Sequence, residues 1–140
     1  MRTKTVVKLV RNLTPDEYRK CYSLNLRWGG YMQEELMFAR RGQRGNAKTV
    51  LIKDEHDRLI AWSLLLPKGE QMIAHYYTRA ACRRQGFGDR LMKTVQRVAP
   101  KPIVVPGEDI QSQRFFGKHK NNLTFSNVYA LYESDDENDC

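Results

Sequence analysis

The chain has 140 residues, 41% of them hydrophobic, which suits one domain around one core. No apolar run approaches the roughly 18 residues of a membrane helix. Cys21, Cys82 and Cys140 are odd in number and too widely spaced for a disulfide framework or a zinc site. The formal charge is +8, yet the last eight residues hold five acids (Glu133, Asp135, Asp136, Glu137, Asp139) and no base. Without them 24 basic residues face 16 less five acids, a body at +13 that should attract polyanions. Residues 133–140 are expected to form a disordered, solubilising tail. No apolar stretch follows Met1-Arg2-Thr3-Lys4, and with unpaired cysteines this gives the expectation of a cytoplasmic protein.

Residues 4–10 are valine-rich and alternate, which predicts a first strand. Thr14, Pro15 and Glu17 spell a capped helix start, with Leu13 and Tyr18 placed as a hydrophobic staple. That helix is predicted to run to about Arg27 and stop at Gly29-Gly30. A second helix follows over 31–41, with Tyr31, Leu36 and Met37 near one face. Residues 42–46 break it. Strands are predicted over 48–53 and 58–66, joined by the polar turn 54–57. Residues 67–70 form a second turn, leading to a strand over 72–80. An amphipathic helix over 86–98 carries Phe87, Leu91, Met92, Val95 and Val98, and Pro100 and Pro102 end it. A short strand over 103–105, a helix over 108–118 and a strand over 128–132 complete the chain.

The run Arg83-Arg84-Gln85-Gly86-Phe87-Gly88 lies between the 72–80 strand and the 86–98 helix. Glycine there permits a tight turn and close backbone approach. The unpaired amides of the helix start, at the positive end of its dipole, then make a cradle for phosphate. Arg83 and Arg84 add charge of a geometry that suits phosphate oxygens. The Walker pattern is absent. A dinucleotide fingerprint fits Gly86 and Gly88, with Glu108 about twenty residues on, but Leu91 replaces its third glycine and too little chain follows for a doubly wound sheet.

The strand followed by Arg-x-x-Gly-x-Gly resembles the acyl-CoA signature of the GCN5-related N-acetyltransferases. Residues 77–88 look like that family's crossing from strand four to helix three, with Ala80 and Cys82 in place of its usual proline and aromatic. The element order β-α-α-β-β-β-α-β-α-β over residues 4–132 is also the family's. The resemblance implies an α/β (α+β) fold with a mixed, mostly antiparallel sheet of about six strands flanked by helices. It implies one acetyltransferase-like domain over 1–132.

It implies acetyl-CoA as co-substrate, with no metal. The backbone of Tyr76, Tyr77 and Thr78 would pair with the pantetheine arm. The segment Arg83, Arg84, Gln85, Gly86, Phe87, Gly88 and Asp89 would hold the pyrophosphate, chiefly through amides. A backbone amide near Tyr77 would stabilise the oxyanion as an amine attacks the thioester directly. For the base, the family's usual positions are residues 72–75, of which only His75 titrates near neutrality. Glu70 is a second candidate and Glu108 a third. The family's acid tyrosine corresponds to Phe116, in the run Asp109-x-x-Ser112-x-x-Phe115-Phe116, and phenylalanine has no proton to give. Tyr129 and Tyr132 are the other phenols weighed for that task, against a packing role.

Other residues carry plainer readings. Cys82 beside two arginines is a reactive thiol or a buried linker cysteine. Trp28 and Trp62 are expected to pack, and His56 to be solvated. Arg40, Arg41, Arg44 and Lys48 form a basic segment that either binds an acidic partner or RNA or is simply solvated.

Three functions remain open at this point. The first is an N-acyltransferase acting on a primary amine of a protein or small molecule, an acidic protein partner being favoured by the basic body. The second is a weakly active or inactive binding protein on the same fold, of a kind also met in phage genomes as host-directed factors. The third is a basic nucleic-acid-binding domain, supported by charge alone. No membrane partner is expected, and both monomer and homodimer remain open.

Overall fold

A computed structural model describes residues 2–24, 31–104 and 110–125. The predicted last strand at 128–132, the acidic tail, Trp28, Glu108 and Asp109 lie outside them. Among the described residues six strands form one sheet in sequential order: β1 Thr3–Leu9, β2 Lys48–Asp54, β3 Leu59–Lys68, β4 Gln71–Thr78, β5 Ile103–Val104 and β6 Thr124–Phe125. The first four pair antiparallel; β4–β5 and β5–β6 are parallel. The α-helices of the described residues flank the sheet: α1 Pro15–Ser23, α2 Tyr31–Arg40, α3 Phe87–Val98 and α4 Ile110–Lys118. This is the α/β architecture expected from the sequence.

Helix α1 starts as its residues dictate. Thr14 accepts from the Glu17 amide, and the Glu17 carboxylate accepts from the Thr14 amide at 2.9 Å, closing the capping box. The helix ends at Ser23, short of the predicted Arg27: Leu24 caps it by donating its N–H to the Lys20 carbonyl. The core face of α2 is Met32, Leu36 and Ala39, while Met37 is half-buried.

The predicted four-residue turn at 67–70 is in fact a two-residue hairpin at Gly69-Glu70. Gly69 has φ 60°, as tight hairpins require. Pro67 belongs to β3, paired with Met72. The Arg79 amide donates to the Ile60 carbonyl, which fixes the alternation: odd β3 residues direct their backbone toward β2. Since the β2 ladder ends at Lys48–Leu65, the missing N–H of Pro67 breaks no pair. The sixth strand comes from Thr124–Phe125, where no strand was predicted.

The sheet divides the core. Leu51, Trp62, Leu64 and Tyr77 pack with Leu36, Met32 and Cys21 on the α1/α2 side. Val50, Ile52, Ala61, Leu65 and Ala74 pack with Leu91, Met92 and Val95 on the α3 side. Trp62 is fully buried on the α1/α2 side, a packing residue as expected. No helix among the described residues is long and apolar enough to cross a membrane.

Candidate functional site

Strand β4 is the spine of the site. Its ladder to β5 contains, among the described residues, the single pair Ile73–Ile103. Beyond it β4 runs on to Thr78, paired among the described residues with β3 alone. The Arg79–Ile60 bond sets which backbone groups face the open edge. Odd residues, including His75 and Tyr77, turn theirs to β3; Ala74, Tyr76 and Thr78 turn theirs outward. The Thr78 carbonyl is already taken by Arg83 Nε at 3.0 Å. The open edge thus offers the N–H and C=O of Tyr76 and the N–H of Thr78. From Ala74 to Thr78 it extends about 13 Å at the usual strand rise.

The edge leads into the cradle. A single 3-10 turn, Ala80–Cys82, redirects the chain, and Arg84 and Gly86 both take left-handed backbone at φ 64° and 84°. Gly86 then serves as N-cap of α3 with no side chain to cap it, and the first helical bond runs from the Arg90 amide to the Gly86 carbonyl at 3.1 Å. The change of hand from Gly86 to helical Phe87 is the geometry in which successive N–H groups converge on an anion. A Cβ on Gly86 would meet nothing within 4 Å, so the cradle is open on that side. Gly88 answers to a different constraint: its Cβ would come within 3.0 Å of Phe115 on α4.

The flanking side chains are mostly committed to the scaffold. Arg79 donates to the Leu59 carbonyl, and the Arg83 guanidinium lies 5.8 Å from the Tyr77 ring centroid. Arg84, Gln85 and Gly86 are exposed at the tip. Asp89 binds Lys118 at 2.7 Å and His119 at 2.8 Å, which holds its carboxyl below the ordinary aspartate range and ties α3 to α4. Cys82 is half-buried against the α3 side of the core.

The predicted catalytic residues separate. His75 lies in the middle of β4, and its side chain faces α2, as strand alternation puts it beside Ile73 and Tyr77. Burial pushes its pKa down to about 4, with the charge of Glu35 pulling the other way. Glu70 is exposed in the β3–β4 hairpin, eight residues from Thr78 at the end of β4 away from the cradle. On the opposite face Tyr76 packs against Phe115 and Phe116, at ring-centroid distances of 6.0 and 5.8 Å, and its hydroxyl reaches Met92 Sδ at 3.4 Å.

Glu35 was missed in the sequence. It is buried on α2 and receives Arg44 Nε at 2.6 Å. Its signal was the helical spacing that places it beside Met32, Leu36 and Ala39 on the core face. The basic segment near it is largely engaged internally. Arg40 donates to the carbonyls of Val10 and Leu13, and Arg44 stacks 4.6 Å from the Phe38 ring centroid. His56 is exposed, with Glu55 at 4.0 Å.

An open strand edge running into an uncapped helix start has the shape and polarity to receive an extended ligand with an anionic end. The profile of the acetyltransferase (GNAT) family matches residues 10–120. The chain belongs to that family and is an N-acetyltransferase by class. Solved structures share its fold. An acyl-CoA N-acyltransferase from Pseudomonas aeruginosa aligns with TM-score 0.62 at 19% identity, over 85% of this chain and 88% of that one. The Campylobacter jejuni N-acetyltransferase PseH, in complex with acetyl coenzyme A, aligns at 0.56 and 12%, over 84% and 87%. An aminoglycoside 6'-N-acetyltransferase complexed with coenzyme A aligns at 0.54 and 15%, over 66% of this chain and only 54% of that one. No curated protein matches the sequence.

Proposed function

We propose that the protein moves an acetyl group from acetyl-CoA to a primary amine by direct attack, without a covalent enzyme intermediate. The observation that carries this is the edge of β4 beyond Ile73, without a partner strand on that side among the described residues and continuous with the open turn at Gly86. The amides of residues 84–89 would receive the pyrophosphate. The outward groups of Tyr76 and Thr78 would pair with the pantetheine arm as an added strand, and Tyr77 would contribute its ring beneath Arg83. The slot closes where β5 joins at Ile73, so the thioester would lie beside residues 74–76. The Tyr76 amide would then be the oxyanion donor.

Of the candidate bases within the described residues, His75 lies beside that point, whereas Glu70 lies about 26 Å from Thr78 at the usual strand rise. A histidine held near pKa 4 is neutral at pH 7 and able to accept a hydrogen bond from the attacking amine. It is about six units weaker than an alkylamine of pKa about 10, so the proton must leave through water. Phe116 gives no acid for the departing thiolate. Both features favour a slow enzyme, and a thioester-binding protein with negligible turnover is the second reading.

Calorimetry with acetyl-CoA, repeated on Gly86→Asp, tests the cradle: tight binding by the parent and its loss in the variant are expected. Equal binding by both would overturn the assignment. Thiol release with a panel of amines then separates turnover from binding alone. A salt titration with nucleic acid tests the charge-only alternative, for which a steep salt dependence is required.

A further inference from the structure

Besides the lysine-bound Glu17, the side of the sheet opposite the cradle helix holds a second buried carboxylate. Glu35 projects from the core face of α2, and only 11% of its side chain is exposed. Arg44 covers it from the loop after α2, with 36% of its own side chain exposed. The pairing is lopsided. Arg44 Nε lies 2.6 Å from Oε2, whereas Nη2 lies 3.4 Å from Oε1. Arg44 takes at most one of the two lone pairs on Oε1, and that weakly, so Oε1 keeps acceptor capacity. His75 faces the same side, and the Glu35 charge reaches its ring against the effect of burial.

Topology gives this carboxylate a setting. A ligand entering the slot from the cradle end stops where Ile73 meets Ile103, so its reactive end lies beside His75. Even β4 residues face α3 and odd ones face α2, so an amine approaching from the α2 side meets His75 with Glu35 behind it. The body carries +13 and repels cations at long range, so a buried negative charge there is a local, selective feature. One carboxylate matches one ammonium.

We propose that Glu35 binds the ammonium of the acceptor through Oε1 while Arg44 holds Oε2 and fixes the carboxylate. The acceptor class is an amine with one local positive charge, such as a monoamine or a protein N-terminus in neutral or acidic surroundings, in preference to a polyamine. This rests on the acyl-transfer reading, which supplies the position of the thioester.

The experiment is a titration of the full chain with ethylamine, followed by NMR of the His75 imidazole. Glu35→Gln should weaken the response roughly tenfold or more, the loss of one charged hydrogen bond. Glu35→Asp should fall between. Arg44→Gln should strengthen it, since it exposes the carboxylate. In thiol release the same order is expected in the KM for ethylamine, with the KM for acetyl-CoA unchanged. A Glu35 that only anchors Arg44 would make Glu35→Gln and Arg44→Gln alike, and that result overturns the proposal, as does an imidazole indifferent to ethylamine. If Glu35→Gln does not fold, a weakened response in Arg44→Gln overturns it alone. Acetyl-CoA calorimetry on the parent separates the two levels: failure there removes the acyl-transfer reading itself, whereas normal binding with no ethylamine response removes only the role of Glu35.

Discussion

A methyl group placed on Gly88 would sit 3.0 Å from Cε1 of Phe115. The second glycine of the cradle therefore serves helix packing: it lets α4 lie close to the first turn of α3. The Phe115 ring cannot easily retreat, because Phe116 and His119 stand 5.2 and 5.3 Å away by centroid and Tyr76 stands at 6.0 Å. Gly88→Ala gains up to about 1 kcal/mol of helix propensity but overpacks this cluster by about 1–3 kcal/mol. The net expectation is a loss near 1 kcal/mol in urea unfolding. In a Phe115→Leu background the same change should stabilise, and a loss persisting there would contradict the packing account.

Gly86 obeys the other rule. Its φ of 84° suits glycine, yet a Cβ would meet open space. Gly86→Ala should cost about 1 kcal/mol through backbone strain alone. Gly86→Asp should cost similar stability but abolish acetyl-CoA binding, since a carboxylate would stand where the pyrophosphate is to lie. Calorimetry and urea melts on the two variants make the comparison, and equal affinities would remove the cradle from the binding account.

Glu17 is the buried hub of the α1 side. Burial alone would raise its pKa, but Lys53 at 2.7 Å, Lys8 at 2.8 Å and the Thr14 amide overcome this and hold it at about 2. A carboxylate depressed on folding contributes stability above its unfolded pKa of about 4.3, lost as pH falls through the folded value. The shift corresponds to about 3 kcal/mol, released between about pH 4.3 and pH 2. Glu17→Gln should cost about 3 kcal/mol at pH 7, because it leaves buried Lys53 with only the more distant Asp57 at 3.4 Å, and should flatten the acid limb. An unchanged acid limb in that variant would show that other groups set it.

His75 acts in a different window. Its pKa falls from the ordinary 6.5 to about 4 on folding, so between those values the unfolded chain binds more protons. Its contribution to stability is present above about 6.5 and lost as pH falls toward 4. His75→Gln should remove that slope in melts taken from pH 7 to pH 4. The same shift bears on catalysis: a limb of kcat/KM near pH 4, absent in the variant, would belong to His75, whereas one near 6.5 would not.

What was legible in the sequence was local. The capping box of α1 lies within four residues, and the turn into α3 within six, so residue types alone announced both. Strand alternation was equally local, yet it had to be combined with a pairing partner before it showed that Tyr76 and Thr78, with Tyr77 turned away, face the open edge. Pro67 read as a turn because the sequence does not reveal that β3 overhangs β2. The two-residue strand Thr124–Phe125 has no periodic signal. Glu35 went unseen because a charge on an imperfect helical face reads as solvent until its loop partner, nine residues on, is brought back across it.

Phe116 offers the sharpest chemical prediction. It stands where the family resemblance expects a tyrosine, with its ring 5.8 Å from that of Tyr76. The Tyr76 hydroxyl points to Met92, and burial raises its pKa, so that phenol is committed to the α3 core. Phe116→Tyr should therefore introduce the missing proton donor beside the slot. General acid assistance contributes about a hundredfold where the leaving group needs it. A thiolate leaves more readily than an alkoxide, so a rise in kcat of about three- to tenfold is expected, with the KM for acetyl-CoA unchanged. The gain should vanish at high pH as the new phenol ionises. A kcat that does not rise would mean that thiolate departure does not limit turnover, and the slow step would then lie with deprotonation of the amine at His75.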